Sequence, residues 1–175
     1  MNSKQIIFKP IFVEDAPILI ELARETFYDQ FISVNTEKDM QYYLGESFSL
    51  DKIIDEIRNV DSIFYFAELG GEKIGYLKLN KNKASDSTVA HNTLEIERLY
   101  LCKKYTSQGI GQQLMDKALS VAMQQGVSSV WLGAWENNKR AQSFYRRNGF
   151  KAIGHHIFMI GSNSHNDLIL QKKFY

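Results

Sequence analysis

The sequence predicts a mixed α/β fold, an α+β arrangement in which a central, mostly antiparallel sheet of about seven strands is flanked by helices. The first sign is a pair of apolar runs joined by Gly70-Gly71, which is typical of an antiparallel hairpin. The second is a strand–helix–strand unit later in the chain, which favours a mixed sheet over a purely doubly wound one. The apolar runs that predict strands are residues 6–11, 63–69, 73–80, 94–102, 127–135, 152–160 and 167–174. The polar stretch 81–92 is predicted to be a loop.

Three helices are predicted between the first strand and the hairpin. The first is capped by Glu14 or Asp15, and its apolar residues recur at helical spacing. Two shorter helices are predicted over residues 36–44 and 50–59, with a break near Gly45. The apolar stripe expected on the first helix is Ile18, Leu19, Leu22, Ala23 and Phe27.

Length and composition indicate one globular domain over residues 1–175 and argue against several functions. The 21 basic and 20 acidic residues leave a net charge of +1, which is not the strongly basic character of a nucleic-acid-binding protein. The single cysteine, Cys102, excludes an internal disulfide and a cysteine-based zinc site. The N-terminus lacks the apolar run of a signal peptide, and no stretch is long enough for a membrane helix. A cytoplasmic protein that binds neither nucleic acid nor membrane is expected.

A glycine-rich turn, Gln108-Gly109-Ile110-Gly111, follows a predicted strand and opens a helix. Glycine lets a ligand reach main-chain amides, and a helix N-terminus attracts anions, so a pyrophosphate is the natural ligand. A P-loop is excluded because Gln112 and Gln113 stand where lysine and a hydroxyl residue are required. A dinucleotide fingerprint lacks its third glycine because Leu114 occupies that position. From the turn alone, a connection that binds nothing is the alternative.

Two neighbouring segments change the interpretation of this turn. Glu97-Arg98-Leu99-Tyr100-Leu101 leads into it, and farther on the chain reads Asn138-Lys139-Arg140-Ala141-Gln142-Ser143-Phe144-Tyr145-Arg146-Arg147-Asn148-Gly149-Phe150. In the second segment Asn138, or Asn137 before it, caps a helix that Gly149 ends in a left-handed conformation. From about Phe8 to its end the chain resembles the GCN5-related N-acetyltransferase (GNAT) family, whose main motif is Arg/Gln-x-x-Gly-x-Gly/Ala. Thr106 stands in the Arg/Gln position, which predicts weaker pyrophosphate contact, not its loss.

The resemblance implies the acyl-CoA N-acyltransferase fold of that family, with acetyl-CoA as co-substrate and no metal. Pantetheine would lie between two splayed strands, the amides of residues 108–112 would hold the pyrophosphate, and Asn138 would bond the pantetheine arm. The cofactor-binding residues expected on this basis are Leu99, Tyr100, Leu101, Thr106, Ser107, Gln108, Gly109, Ile110, Gly111, Gln112, Asn138, Phe144 and Arg147.

The resemblance also implies that a primary amine attacks the thioester directly within a ternary complex. Tyr145 holds the position of the family's tyrosine acid, and a protonated phenol can give its proton to the leaving thiolate. Packing alone is the alternative role for Tyr145. Glu97 is the expected base, acting through water, with Glu95 second; a salt bridge to a lysine of a neighbouring strand is the alternative for Glu97. The main-chain N–H of Leu99 is the expected oxyanion donor.

Residues 25–29, 43–48 and 131–136 are similar to the PaiA-like bacterial subgroup of that family, which is associated with spermidine and spermine N-acetylation. On this basis the partner is a small-molecule amine, a polyamine bound by Glu25, Tyr28 and Asp29. A solvated helical face is the alternative for these acids. Acetylation of a protein amine or of an antibiotic is also left open, as is an acetyl-CoA-binding regulatory module without turnover.

The histidines near the C-terminus do not predict a metal site. His155, His156 and His165 have no acidic ligand at a fixed spacing, although His156 could line the substrate end. Dimers are frequent among similar proteins, so a homodimer is left open.

Overall fold

Seven strands form one sheet within residues 5–81 and 92–174, the parts of the chain that the computed structural model describes. In chain order the elements are β1 (Ile6–Pro10), α1 (Ala16–Phe31), α2 (Glu37–Ser47), α3 (Leu50–Arg58), β2 (Ser62–Leu69), β3 (Glu72–Lys81), β4 (Thr93–Leu101), α4 (Ile110–Gln124), β5 (Ser129–Trp135), α5 (Lys139–Arg147), β6 (Lys151–Ile160) and β7 (Asn163–Lys173). The strand order is β1-β2-β3-β4-β5-β7-β6, and each neighbouring pair is antiparallel except β4–β5. The predicted fold class is confirmed.

The β2–β3 hairpin turns at Gly70 and Gly71, as predicted. Their φ angles are 60° and 89°, and two successive positive φ values give the loop a twist that matches the flanking strands. Lys81, predicted to start a loop, still belongs to β3. Residues 82–91 of that predicted loop lie outside the described part of the chain.

Helix α1 begins where predicted but is capped differently. Asp15 occupies the N-cap position, yet its carboxylate accepts a hydrogen bond from the Phe12 amide at 3.0 Å and none from the helix. Pro17 follows in the first turn. Proline has no N–H, but an N–H at this position would have no carbonyl partner within the helix, so no hydrogen bond is lost. Ile18 is 44% exposed, so its prediction as a core residue is wrong. The predicted stripe residues that are buried are Leu19, Leu22, Ala23 and Phe27.

The sequence predicted a break near Gly45 between the two short helices, but the structure places it at Phe48 and Ser49. Gly45 lies inside α2, where an added Cβ would meet no atom within 4 Å, and a glycine in a helix costs only about 1 kcal/mol. The helix ends at Phe48, whose side chain turns into the core and is 1% exposed, and Ser49 then stands at the N-cap of α3.

Two hydrophobic cores lie on opposite faces of the sheet. One packs against α4 and includes Leu114, Met115 and Ala118. The other packs against α1, α2 and α3 and includes Phe27 and Phe48. The central strands are therefore covered on both faces and their residues alternate between the two cores, whereas the edge strand β6 leaves Ile153, Ile157 and Met159 exposed.

A β-bulge at Glu97 changes this alternation along β4. The pairing of β3 with β4 skips one residue, and Glu97 is the extra residue. Before the bulge Leu94 and Ile96 join the α4 core, and beyond it Leu99 packs there. Glu97 and Arg98 consequently lie on the face covered by α1 to α3.

Strands β4 and β5 separate after a short shared ladder. They pair only from Thr93 to Glu95 on β4 and from Ser129 to Trp131 on β5. Beyond that point β4 continues along β3, and β5 continues along β7. The splay expected from the family resemblance is present, and it turns one main-chain edge of β4 toward an open gap.

Candidate active site

A cavity of about 710 Å³ opens where β4 and β5 separate. It extends from the glycine-rich turn, across the gap between the strands, to a chamber between the sheet and the helices α1 and α2. The predicted cofactor-binding residues line it, with two exceptions. The Gln108 side chain instead donates to the Lys104 carbonyl at 2.8 Å, and the Ile110 side chain is buried in the α4 core. These two residues can offer only main-chain N–H groups to a ligand.

The glycine-rich turn has a backbone suited to an anion. Ser107 and Gly109 have φ angles of 64° and 79°. The first N–H groups of α4 have no carbonyl four residues earlier in the helix, although the Gln112 N–H donates to the Gly109 carbonyl at 3.2 Å. A Cβ added at Gly109 or Gly111 would meet no atom within 4 Å, so the space there is open. Arg140 donates to the Ser107 hydroxyl at 2.5 Å, which places a guanidinium beside the turn. Together these groups fit a pyrophosphate.

Asn138, and not Asn137, caps α5. Its side-chain oxygen accepts from the Ala141 amide at 3.0 Å. The cap uses one lone pair of the oxygen, so the NH₂ group and the second lone pair are left to bond a ligand. The expected bond to pantetheine stays a prediction. Gly149, with φ of 87°, ends the helix as predicted.

Tyr145 lies on α5, half-buried, and lines the cavity. Its ring meets those of Phe144 and Phe150 with centroids 5.4 Å and 6.1 Å apart. Burial raises the pKa of the Tyr145 phenol to about 12, so the hydroxyl keeps its proton at neutral pH. A protonated phenol at the cavity wall suits the predicted general acid, a role that stays a prediction.

Glu97 is held in a network of charges at the bulge. Its carboxylate oxygens lie 2.6 Å from Lys78 Nζ and 3.1 Å from Arg98 Nη2. The Asn80 amide donates both to Glu97 and, at 3.1 Å, to Glu95, so the bulge leaves the two carboxylates side by side. Burial alone would raise the pKa of Glu97, but Arg98 and Lys78 outweigh it and leave that pKa lowered.

These partners bear on the predicted role of Glu97 as base. Glu56 on α3 joins the network at 3.0 Å from Lys78 and 2.8 Å from Arg98. A carboxylate paired with two cations and with a lowered pKa is a weak base at neutral pH. Glu97 does line the cavity. Its salt bridge to Lys78 on β3 is, however, the contact with a neighbouring-strand lysine that was the alternative to the base role. The base role stays a prediction that its contacts do not favour.

The part of the cavity between the sheet and helices α1 and α2, which we call the acceptor chamber, has aromatic walls. Phe27 and Tyr43 stack there with centroids 4.6 Å apart. Other rings of the chamber include Phe31, Phe48, Tyr100, Trp135 and Phe158. Its acidic and histidine side chains are Glu95, Glu97, His156 and Asp167.

His156 and Asp167 are direct neighbours on β6 and β7. His156 Nε2 lies 3.9 Å from Asp167 Oδ2. Burial raises the pKa of Asp167 to about 6, against the lowering effect of His156 and with a further increase from Glu136. His156 was expected at the substrate end, whereas Asp167 was not singled out. Its one signal is an acidic residue within an otherwise strand-like run, and the register that joins it to His156 is not readable from the sequence.

The three residues predicted to bind the substrate, Glu25, Tyr28 and Asp29, lie outside the cavity, and their binding role stays a prediction. None of the three lines the cavity; they border a separate, shallow depression on another face of α1. The Tyr28 hydroxyl donates to Glu37 at 2.7 Å. Glu25 and Asp29 are exposed, so their position favours the alternative of a solvated helical face.

Within residues 5–81 and 92–174, no three His, Cys, Asp or Glu side chains are grouped so that they could hold a metal ion. In the same part of the chain, no helix combines the length and apolar character needed to cross a membrane.

Known proteins are similar to this chain in sequence and in fold. Residues 19–150 match the Acetyltransferase (GNAT) family. An uncharacterised N-acetyltransferase of Lactobacillus delbrueckii subsp. lactis is 38% identical over 91% of this chain and 92% of its own. The spermidine N(1)-acetyltransferase of Thermoplasma acidophilum is 28% identical over 97% of this chain and 98% of its own. The crystal structure of a PaiA N-acetyltransferase from T. acidophilum in complex with coenzyme A matches with a TM-score of 0.77 and 28% identity, covering 97% of this chain and 99% of that one.

Proposed function

This chain belongs to the Acetyltransferase (GNAT) family and is an acetyl-CoA-dependent N-acetyltransferase, and we propose that its acceptor is a polyamine such as spermidine or spermine. The observation that carries the proposal is the acceptor chamber, which combines aromatic walls with the carboxylates of Glu95 and Asp167. The likeness to a spermidine N(1)-acetyltransferase over nearly the whole chain supports the same substrate class.

The chamber suits the chemistry of a polyamine. Only the reacting nitrogen of the substrate needs to be neutral, and the others keep their positive charge. Aromatic faces attract such cations and pack against the methylene groups between them. An ammonium group near Asp167 would also offset the burial that raises the pKa of this carboxyl.

On the other side of the gap, the chain's own groups can hold acetyl-CoA. The unpaired edge of β4 would bond the pantetheine amides as an added strand, and the turn before α4 would bind the pyrophosphate. Arg140 and Arg147, which line the same part of the cavity, would neutralise phosphate charge. The thioester would then lie at the gap, between Tyr145 and the acceptor chamber.

A panel of acceptors tests the proposal. Spermidine, spermine, a lysine peptide and an aminoglycoside are assayed side by side at fixed acetyl-CoA, with thiol release as the readout. We expect the highest kcat/KM for a polyamine, and we expect it to fall as salt rises because the attraction between the charges is screened. A peptide or aminoglycoside as best substrate would refute the polyamine. Binding of acetyl-CoA with no turnover of any amine would instead favour a regulatory module.

A matched pair of variants locates the acceptor. Glu95→Gln removes a charge inside the cavity, and we expect it to raise KM for spermidine while KM for acetyl-CoA changes little. Glu25→Gln removes the same charge from α1 outside the cavity, and should leave both constants unchanged. If the Glu25 variant alone raised KM for spermidine, the shallow depression on α1 would be the binding site and the chamber would not.

A further inference from the structure

The sheet brings three side chains of the acceptor chamber into one row. Trp135 on β5 lies directly opposite Asp167 on β7, and Asp167 lies directly opposite His156 on β6. Residues that face each other across neighbouring strands share one side of the sheet. The side-chain exposures are 31% for His156 and 15% for Asp167, so both are reached from the cavity and only partly from bulk water.

Gly133 on β5 gives the imidazole its place. A Cβ added at Gly133 would lie 2.9 Å from Cε1 of His156 and 3.4 Å from Oδ2 of Asp167. The ring therefore leans over β5 into space that only glycine leaves open. Since Gly133 also lines the cavity on the strand that borders the gap, His156 is aimed from β6 toward the place where the thioester would lie.

Other charged groups face the same chamber. Asp167 is the nearest, and Glu136, at the end of β5, acts on Asp167 and accepts from Asn166 at 2.9 Å. From β4, Glu95 and Glu97 face the chamber as well, but Glu97 is paired with Lys78 and Arg98. On the cofactor side of the same cavity, outside the chamber, lie Arg140, Arg147 and the Tyr145 phenol. Among these groups His156 offers a ring nitrogen that can accept a proton, whereas the Glu97 carboxylate is already paired with two cations.

We propose that His156, held over Gly133 and beside Asp167, is the base that takes the proton from the acceptor ammonium. The inference rests on the acetyltransferase activity of the family and not on the identity of the amine. The ammonium gives one proton to a ring nitrogen of His156, and the Asp167 carboxylate stabilises the imidazolium that forms. Asp167 acts as a positioning residue, since it works through the ring.

The remaining steps balance. The neutral amine forms a C–N bond to the acetyl carbonyl, and the tetrahedral adduct loses its second nitrogen proton to solvent. The C–S bond then breaks, and the thiolate takes a proton from Tyr145, which is reprotonated from solvent. His156 releases its own proton to solvent, so one acetylated amine, one CoA thiol and one net proton leave the enzyme.

His156→Gln tests the proposal against a matched control, His155→Gln, which changes the exposed neighbour on the same strand. The best acceptor from the panel is compared with trifluoroethylamine, a weakly basic amine that is already largely neutral at neutral pH. We expect kcat/KM for the basic acceptor to fall on the order of 10²–10³-fold in the His156 variant. In the His156 variant, the acid limb of the pH profile of kcat/KM for the basic acceptor should disappear. The loss of kcat/KM should be much smaller for the neutral amine. The His155 variant should keep the parent profile.

Gly133→Ala gives a second, independent perturbation, because the added Cβ must displace the imidazole. It should reproduce the selective loss with the basic acceptor while acetyl-CoA affinity, measured by calorimetry, stays that of the parent. An equal loss with both amines in the His156 variant would assign the residue to packing and overturn the proposal. A retained acid limb with kcat/KM within about twofold of the parent would do the same. If only the polyamine assignment failed, this experiment would still test the role of His156, because it uses the best acceptor of the panel whatever its chemical class.

Discussion

Replacing Asp167 by asparagine should stabilise the protein at high pH and not at low pH. Burial raises the pKa of the folded carboxyl to about 6, compared with an ordinary value of 3.8. A raised carboxyl pKa means that the folded state binds the proton more tightly than the unfolded state does. The contribution to stability is therefore present below the unfolded pKa and is lost as pH rises through about 6. The difference between the two pKa values corresponds to about 3 kcal/mol, at 1.36 kcal/mol for each tenfold change in proton affinity.

Urea unfolding of the parent and of Asp167→Asn, at about pH 4 and about pH 8, measures this difference. Asparagine also loses some hydration when it is buried. We therefore expect the free energy of unfolding of the variant to exceed that of the parent by about 1–3 kcal/mol at the higher pH and by little at the lower. Asp55→Asn, a change at an exposed position of α3, is the control and should show no such pH dependence. A variant that is no more stable than the parent at the higher pH would refute the reasoning, because the burial of a charged Asp167 would then cost nothing.

Two further predictions concern the cofactor side of the cavity. Tyr145→Phe should lower kcat by about 10²–10⁴-fold while acetyl-CoA affinity is kept, because only the proton is removed; a kcat within about twofold of the parent would return Tyr145 to a packing role. Gly111→Val should weaken acetyl-CoA binding, measured by calorimetry, without loss of thermal stability, since the space in front of this helical glycine is open. Unchanged affinity in the folded variant would contradict the placement of the pyrophosphate.

Periodicity and turn residues located the strands well, because the central strands alternate between two cores and the strands are bounded by glycines or polar turns. They did not locate the end of α2. Gly45 suggested a break, but helix ends depend on which side chain the core takes in, and here that side chain is Phe48. Ile18 was misplaced for a related reason, since a helix buries a stripe narrower than its full set of apolar residues.

The cofactor side of the site could be predicted from the sequence, since its groups come from two continuous segments with a recognisable motif. The acceptor side could not, because it is assembled from α1, α2, β5, β6 and β7 by tertiary packing. Glu25 and Asp29 were chosen for their charge, and their position on α1 turns them away from the cavity. The contact of His156 with Gly133 depends on strand register, for which no single residue carries a signal.

The short ladder between β4 and β5 has a mechanical consequence. Three residues on each strand, with the bonds from Ser128 to the Asn92 carbonyl just before them, form the hydrogen-bonded seam between two antiparallel groups of strands, β1–β4 and β5–β7. Such a seam resists sliding of one group of strands past the other. It offers little resistance to a change in the angle between the two groups, so the width of the gap is the dimension of the sheet that changes most easily. A molecule that bonds along the free edge of β4 lengthens the seam. Occupation of the gap is therefore expected to stiffen the whole sheet, and the empty and filled enzyme would differ in rigidity more than in shape.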